Sequence, residues 1–321
     1  MLLNLQYFII SLAVMFLALL IDHIFGDPPD KFHPTAWMGK LAAFLKPHAR
    51  AKNPKLEKIK GVLLVVFVTC IFSVPAYVAL LLIQQHLHPV VFVIVAAIFL
   101  KLTFAVKGME RASLKVTTAL KGNDLQKARV HLSNIVRRDA SKLDQKLMIS
   151  ATVESIAEST VDGITSAFFY FAIFGVPGAI AFRVVNTLDS MVGYKDPAHM
   201  NIGWFSAKLD SILNFIPARL TAVFMVIAAS LLGESRSNSW KILKRDRNET
   251  SSMNAGWPMS AIAGALRIKL EKIGYYSLGD NDDKIYHGHI SRALRIMKAV
   301  VFLFAAIIVV PVCLLKILVG S

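Results

Sequence analysis

The 321-residue sequence predicts an all-α fold, a polytopic membrane helix bundle with four spanning helices, two interrupted or re-entrant segments and cytoplasmic helical loops. Composition is the first reason. Hydrophobic residues make up 55% of the chain and charged residues 18%, with a mean hydropathy of +0.55, whereas soluble domains run at roughly 45–50% apolar. The second reason is that the apolar residues come in blocks. The third is that Lys and Arg, which give a formal charge of +15, gather between those blocks, where they set membrane topology.

Four blocks, Leu5–Ile21, Val62–Ile83, Val90–Val106 and Ala299–Leu318, approach the ~20 residues that a helix needs to cross hydrocarbon. No basic n-region precedes the first and no small-residue cleavage site follows it, so it is expected to stay attached as an anchor. Cys70 and Cys313 lie inside apolar blocks without metal-ligand spacing and read as packing residues, not a disulfide. The loop Asp22–Gly61 carries eight Lys or Arg residues, and Gln84–Pro89 carries none. This asymmetry predicts that the first loop is cytoplasmic and the amino terminus outside. The basic stretches 107–163 and 233–298 are expected to be cytoplasmic helical loops within a single integral membrane domain, 1–321.

Ile164–Phe182 and Ile212–Leu232 are apolar but interrupted, the first by Gly175, Pro177 and Gly178 and the second by Pro217 and Arg219. Each either spans or re-enters; irregular backbone is tolerated at membrane depth where protein or a wet cavity covers it. Between them the run RVVNTLDSMVGYKDP, Arg183–Pro197, collects Asn186, Asp189, Ser190, Tyr194 and Lys195. Polar residues at a membrane edge are costly unless used, although a capped helix start or a turn would look the same.

The 107–163 loop reads as two helices, Leu125–Val136 after a Gly-Asn-Asp cap and about Leu143–Asp162 after Asp139 and Ser141. On the second, Glu154, Glu158 and Asp162 recur every four residues and form one acidic stripe. Three like charges in a row need a cation, so a divalent metal or a cationic substrate suits the stripe, with a solvated acidic face as the alternative. In the first loop, Asp22, His23, Asp27 and His33 surround a Gly-Asp-Pro-Pro turn; they are candidates for a polar ligand but match no compact zinc motif. Asn254-Ala-Gly-Trp-Pro predicts a turn, and SAIAGALRIKLEK after it predicts an amphipathic helix with small residues on one face and Trp257 at an interface. Neither a phosphate loop nor a dinucleotide fingerprint is present, and no arginine-aromatic module points to nucleic acid.

Five blocks, GDPPDKFHPTAWMGKL, VESIAESTVDG, RVVNTLDSMVGY, KLDSILNFIPARLTA and NAGWPMSAIAGAL, run in this order from Gly26 to Leu266. In them the chain resembles the CbiB/CobD membrane family of cobalamin biosynthesis, the adenosylcobinamide-phosphate synthases. The resemblance implies ATP-dependent joining of aminopropanol phosphate, or aminopropanol, to a corrinoid carboxyl group as an amide, with Mg²⁺ and ATP as co-substrate. By position it points to Glu154, Glu158, Asp162, Asn186, Asp189, Ser190, Tyr194, Asp210, Arg219, Asn254 and Trp257. On that basis Glu158, Asp162 and Asp189 are expected to hold Mg²⁺ and nucleotide. Arg183, Lys195 and Arg219 would contact phosphate, and Glu154 would accept the proton of the attacking amine. Ser159, Ser211 and Met253 stand where the family usually has Asn, Asp and Pro, and these departures spare the stripe and Asp189. Because ATP and the corrinoid precursor are cytoplasmic, the resemblance favours an inward hairpin for Ile164–Leu232. A non-enzymatic relative of the AmpE sensor type and a small-solute or corrinoid transporter are the alternatives.

Overall fold

The computed structural model describes residues 2–194 and 196–319. Among them five helices are long and apolar enough to cross a membrane: Leu5–Phe25, Pro54–His86, Pro89–Lys121, Gln145–Val192 and Gly288–Leu315. Trp204–Leu213 and Phe215–Leu231, separated at Asn214, make a sixth if taken as one span. The first three expected blocks each fall within one of these helices, and the fourth, Ala299–Leu318, overlaps the last as far as Leu315. The interrupted block Ile164–Phe182 falls within a fifth, where Gly175 takes φ +69° and ψ −163°, a backbone open to glycine, and the chain resumes helix at Pro177. The break read from the sequence is real: Gly175 separates two helical stretches. The second runs on to Val192, so the polar run from Arg183 is helical as far as Val192 and leaves the helix at Gly193.

The chain divides into two compact units. The first takes residues 1–105, 166–213 and 306–321. In it α1 (Leu2–Phe25) packs on α4 (Pro89–Lys101), while α2 (Pro34–Ala49) and α3 (Pro54–His86) pack on α8 (Ser166–Val192), which also meets α9 (Trp204–Leu213). Phe16, Leu63 and Phe67 on α1 and α3 are exposed, an outward apolar surface suited to lipid. Proline at the first turns of α2, α3 and α4 costs no hydrogen bond there, and the preceding His33, Asn53 and His88 cap each helix with a side-chain acceptor. Gly203 has its Cα against the carbonyl of Val192, so the chain after α8 folds back only because no Cβ is there.

The second unit takes residues 106–165 and 214–305 and so contains nearly all of both Lys/Arg-rich stretches. Its helices are α5 (Val106–Lys121), α6 (Leu125–Ser133), α7 (Gln145–Thr160), α10 (Phe215–Leu231), α11 (Arg236–Asp246), α12 (Gly256–Leu266) and α13 (Gly288–Phe304). Asp124 caps α6 as expected, by accepting from Lys127 N at 2.9 Å, but α6 stops at Ser133. The cap of α7 is Asp144, which accepts from Leu147 N at 2.8 Å; Asp139 instead closes a turn on Ser141 N. A π turn, Val161–Thr165, follows α7 and carries Asp162.

The helix expected over SAIAGALRIKLEK is corrected. Helix α12 ends at Leu266, Arg267 turns left-handed at φ +57°, and Leu270–Lys272 forms a strand, β1, antiparallel to Tyr276–Leu278, β2. Gly274 at φ +77° makes the three-residue connection. Nor is α12 amphipathic: Pro258 through Leu266 are all buried. Its small residues instead allow close packing, with Gly264 against the backbone of Asn238 and Ser239 on α11.

Candidate active site

The candidate residues fall into four polar groups, two in each unit. In the first unit Lys101, at the end of α4, reaches both carboxylates of the Gly-Asp-Pro-Pro region, with Nζ 2.9 Å from Asp22 Oδ1 and 2.6 Å from Asp27 Oδ1. Lys101 and Asp22 are buried. Burial by itself would raise the Asp27 carboxyl, but the hydrogen bond with His33 and the Lys101 charge hold it below its usual value. His33 Nδ1 also accepts from Thr35 N at 3.2 Å as the α2 cap. Asp27 and His33 thus hold the turn through an ion pair and a helix cap, and Lys101, a lone cation inside an apolar block of the sequence, is what organises it.

The second group lies on α8 and α9. Arg183 Nε donates to Thr103 O at 2.6 Å and Nη1 to Asn186 Oδ1 at 3.1 Å, while Asn186 Nδ2 donates to Asp210 Oδ1 at 3.1 Å. Helical spacing puts Arg183 and Asn186 on one face, one turn apart. Burial of Asn186 and Asp210 makes this line of donors and acceptors a fixed one. Asp189 and Ser190 follow on the next turn, half-buried, and Gly193 N donates to Asp189 O at 2.8 Å where the helix ends. The Asp189 carboxylate folds over Gly193, where no side chain would fit. Tyr194 is exposed, with its ring 5.3 Å from that of His199. Lys195 lies outside the described residues.

In the second unit the acidic row separates into three environments. Glu154 is buried and tied down by three donors: Ser150 Oγ at 2.6 Å on Oε1, and Arg138 Nη2 at 3.1 Å with the Tyr276 hydroxyl at 2.8 Å on Oε2. Ser150 in turn accepts from Glu271 N at 2.8 Å, linking α7 to β1. Burial and the charge of Glu154 push the Tyr276 hydroxyl well above its ordinary value, so it stays a donor. Glu158 is exposed, with Arg137, Lys272 and Arg138 as its neighbouring cations. Asp162, half-buried, sits in the π turn, which interrupts the uniform α-helical row. Cations from residues before α7 and on the hairpin thus face the row. Arg137 and Arg138 were readable as a basic pair; Tyr276 and Lys272, more than a hundred residues away, gave no signal.

The fourth group joins α10 and α12. Arg219 Nη1 donates to Asn254 Oδ1 and to Phe215 O, both at 2.8 Å, and Nη2 to Met253 O at 3.1 Å. Its guanidinium carbon lies 3.5 Å from the Phe215 ring centre and 4.7 Å from that of Trp257. Asn254 is buried. Of the three carboxylates expected to hold Mg²⁺, Glu158 and Asp162 belong to the second unit and Asp189 to the first. Among the described residues no group of three or more His, Cys, Asp or Glu side chains is arranged as a metal cage.

Comparison with known proteins rests on the same regions. The family described as CobD/Cbib protein matches residues 15–302. The chain belongs to the CobD/CbiB family. It is 44% identical over 270 residues to the cobalamin biosynthesis protein CobD of Dehalococcoides mccartyi, covering 84% of this chain and 87% of that one. With the probable cobalamin biosynthesis protein CobD of Methanothermobacter thermautotrophicus it shares 37% identity over 294 residues, 92% of this chain and 95% of the relative. For the CobD protein of Clostridium perfringens the figures are 37% over 310 residues, 93% and 97%. No solved structure matches. As a CobD/CbiB protein the chain has a role in cobalamin biosynthesis, and its corrinoid-related candidates are the four groups above.

Proposed function

We propose that this CobD/CbiB protein is an adenosylcobinamide-phosphate synthase, which joins aminopropanol phosphate, or aminopropanol, to the free carboxyl of adenosylcobyric acid at the expense of ATP. The observation that carries the reading is the family match over residues 15–302, together with polar residues of all five family blocks lying in hydrogen-bonded groups. A carboxylate is a poor acyl donor until its oxygen becomes a leaving group. Transfer of the γ-phosphoryl group of ATP to that oxygen gives an acyl phosphate and ADP. The amine nitrogen then attacks the acyl carbon, the bond to phosphate breaks, and the nitrogen loses a proton.

Glu158 and Asp162, both in the second unit, would hold the Mg²⁺ that arrives on ATP, whose chemistry is to neutralise charge on the transferring phosphoryl group; Asp189, in the first unit, is a further carboxylate to which the resemblance points. Glu154 would take the amine proton by releasing one of the three hydrogen bonds that its oxygens accept, and its contact with Arg138 keeps that cation beside the row. Arg183, held by Thr103 and Asn186, and Arg219, held by Asn254, would each take phosphate oxygens; Lys195, expected as a third cation, lies outside the described residues. The cytoplasmic location of ATP and the basic stretches 107–163 and 233–298 support an active site on the cytoplasmic side and an amino terminus outside.

The test is incubation of the purified protein with adenosylcobyric acid, ATP, Mg²⁺ and aminopropanol phosphate, read by mass spectrometry. The expected product is the amide, with ADP released in equal amount. Glu158→Gln and Asp189→Asn are each expected to slow turnover about 100-fold or more, the scale of lost charge stabilisation. Corrinoid uptake into vesicles without ATP turnover or a new amide would replace this reading with transport.

A further inference from the structure

Trp257 has a second cation that the proposed chemistry has not used. The guanidinium carbon of Arg247 lies 5.0 Å from the indole centre, on the same residue that Arg219 meets at 4.7 Å. The two like charges are therefore roughly 10 Å apart at most, a separation over which they repel. Among the described residues neither is in an ion pair, whereas Arg138, Arg245, Arg267, Arg292 and Arg295 of the same unit all meet a carboxylate.

The place is built. Arg219 spends both Nη1 hydrogens on Asn254 and Phe215 and one Nη2 hydrogen on Met253. That leaves Nε–H and one Nη2–H, two donors that phosphate oxygens can take. Arg247 is held from its backbone, because Gly256 lies so close to the Arg247 carbonyl that a Cβ would overlap it. The turn between them is closed by Ser252 Oγ, which accepts from Asn254 N at 3.3 Å and Ala255 N at 3.2 Å. Arg219, Arg247 and Trp257 are all partly open to solvent, so a ligand can reach them.

We propose that Arg219 and Arg247, set against Trp257, form a binding site for a phosphate oxyanion, carried either by a soluble phosphate ester or polyphosphate or by a lipid headgroup. A phosphate between two guanidinium groups removes their mutual repulsion and takes the free donors at once. The site rests on the proposed function only for which soluble phosphate compound occupies it. Arg247 is the residue this adds.

The test uses the full-length protein in nanodiscs of neutral phosphatidylcholine, titrated calorimetrically with inorganic tripolyphosphate. Wild type is expected to bind, Arg247→Ala to bind at least tenfold more weakly, and Arg247→Lys to fall between. Lys241→Ala, an exposed cation on α11, should match wild type. Thermal midpoints of all variants are compared, so that loss of binding in an intact fold is what counts. In a second arm, discs containing phosphatidylglycerol are used. Unchanged tripolyphosphate affinity there marks a soluble ligand; affinity reduced in wild type but not in Arg247→Ala marks a lipid phosphate in the same site. Tripolyphosphate binding that is absent from wild type in both kinds of disc, or that is equal in Arg247→Ala and wild type, overturns the proposal. Binding that depends on Arg247 in a protein that makes no amide would leave the site standing and remove the synthase reading. Amide formation without such binding would do the reverse.

Discussion

Replacing Lys101 with methionine removes the one cation shared by Asp22 and Asp27 while keeping the length of the side chain. The two contacts, 2.9 and 2.6 Å, correspond to about 6 kcal/mol each at an effective dielectric of 20, before the cost of burying the ions. Most of that gross attraction offsets desolvation, because the Lys101 and Asp22 side chains are only 3% and 4% exposed. Removing one partner does not return the system to zero, however, since Asp22 remains buried beside an apolar side chain. The expected loss is about 3–5 kcal/mol, with roughly 1 kcal/mol of it from the hydrogen bond to Phe104 O. Asp27, which is 24% exposed, is rescued by water and contributes less. Asp22→Asn in the Lys101→Met background removes the stranded charge and should recover about 1–3 kcal/mol, a coupling typical of residues in direct contact. Reversible unfolding in mixed detergent micelles measures all four corners of this cycle. A Lys101→Met variant within 1 kcal/mol of wild type, or a double variant no more stable than the single, would refute a buried ion cluster at this turn.

Tyr276→Phe removes one of three donors to Glu154 and should cost about 1.5–3 kcal/mol in the same unfolding assay; an effect below 0.5 kcal/mol would mean that Arg138 and Ser150 suffice to hold the carboxylate. Asp246 accepts from Gly279 N at 2.7 Å and pairs with Arg245; burial opposes its charge, but these partners hold its carboxyl below the ordinary value. A lowered folded-state value contributes stability that is complete above the unfolded-state value and is lost as pH falls through the folded one. Wild type should therefore lose stability relative to Asp246→Asn as pH drops below about 5, and parallel pH profiles would contradict this. Gly203→Ala places a Cβ against the backbone of Val192 and Gly193, where nothing flexible can yield, and is expected to lower stability by about 2–3 kcal/mol, read as a fall in thermal midpoint.

Some of the candidate site was legible from residue order alone. Glu154 and Glu158 lie on α7 because spacing by four is a local property of the backbone, whereas Asp162 falls in the π turn after it; the need for a nearby cation follows from like charge. Which cation answers the need is not legible: Arg138 comes from the segment before α7, but Lys272 and Tyr276 arrive from a hairpin of which the sequence predicts only the first strand, and predicts it as helix. Leu-Glu-Lys alternates too briefly to declare a strand, and only pairing with Tyr276–Leu278 makes it one. Lys101 was similarly hidden, since a lone cation at the end of an apolar block looks like a membrane-edge anchor until two aspartates close on it.

The sequence by itself determined the membrane class, the position of the long apolar helices, the glycine break at 175 and the family, since these depend on composition, on hydrophobic length and on local backbone freedom. Tertiary structure alone decided that helix resumes after that break and runs to Val192. Tertiary structure also distinguished Glu154, enclosed by three donors, from Glu158, open to water, and brought Arg247 to the indole that Arg219 already meets. Identical side chains four residues apart have the same intrinsic chemistry. What separates them is which distant groups the fold brings within hydrogen-bonding reach, and a local pattern carries no record of that.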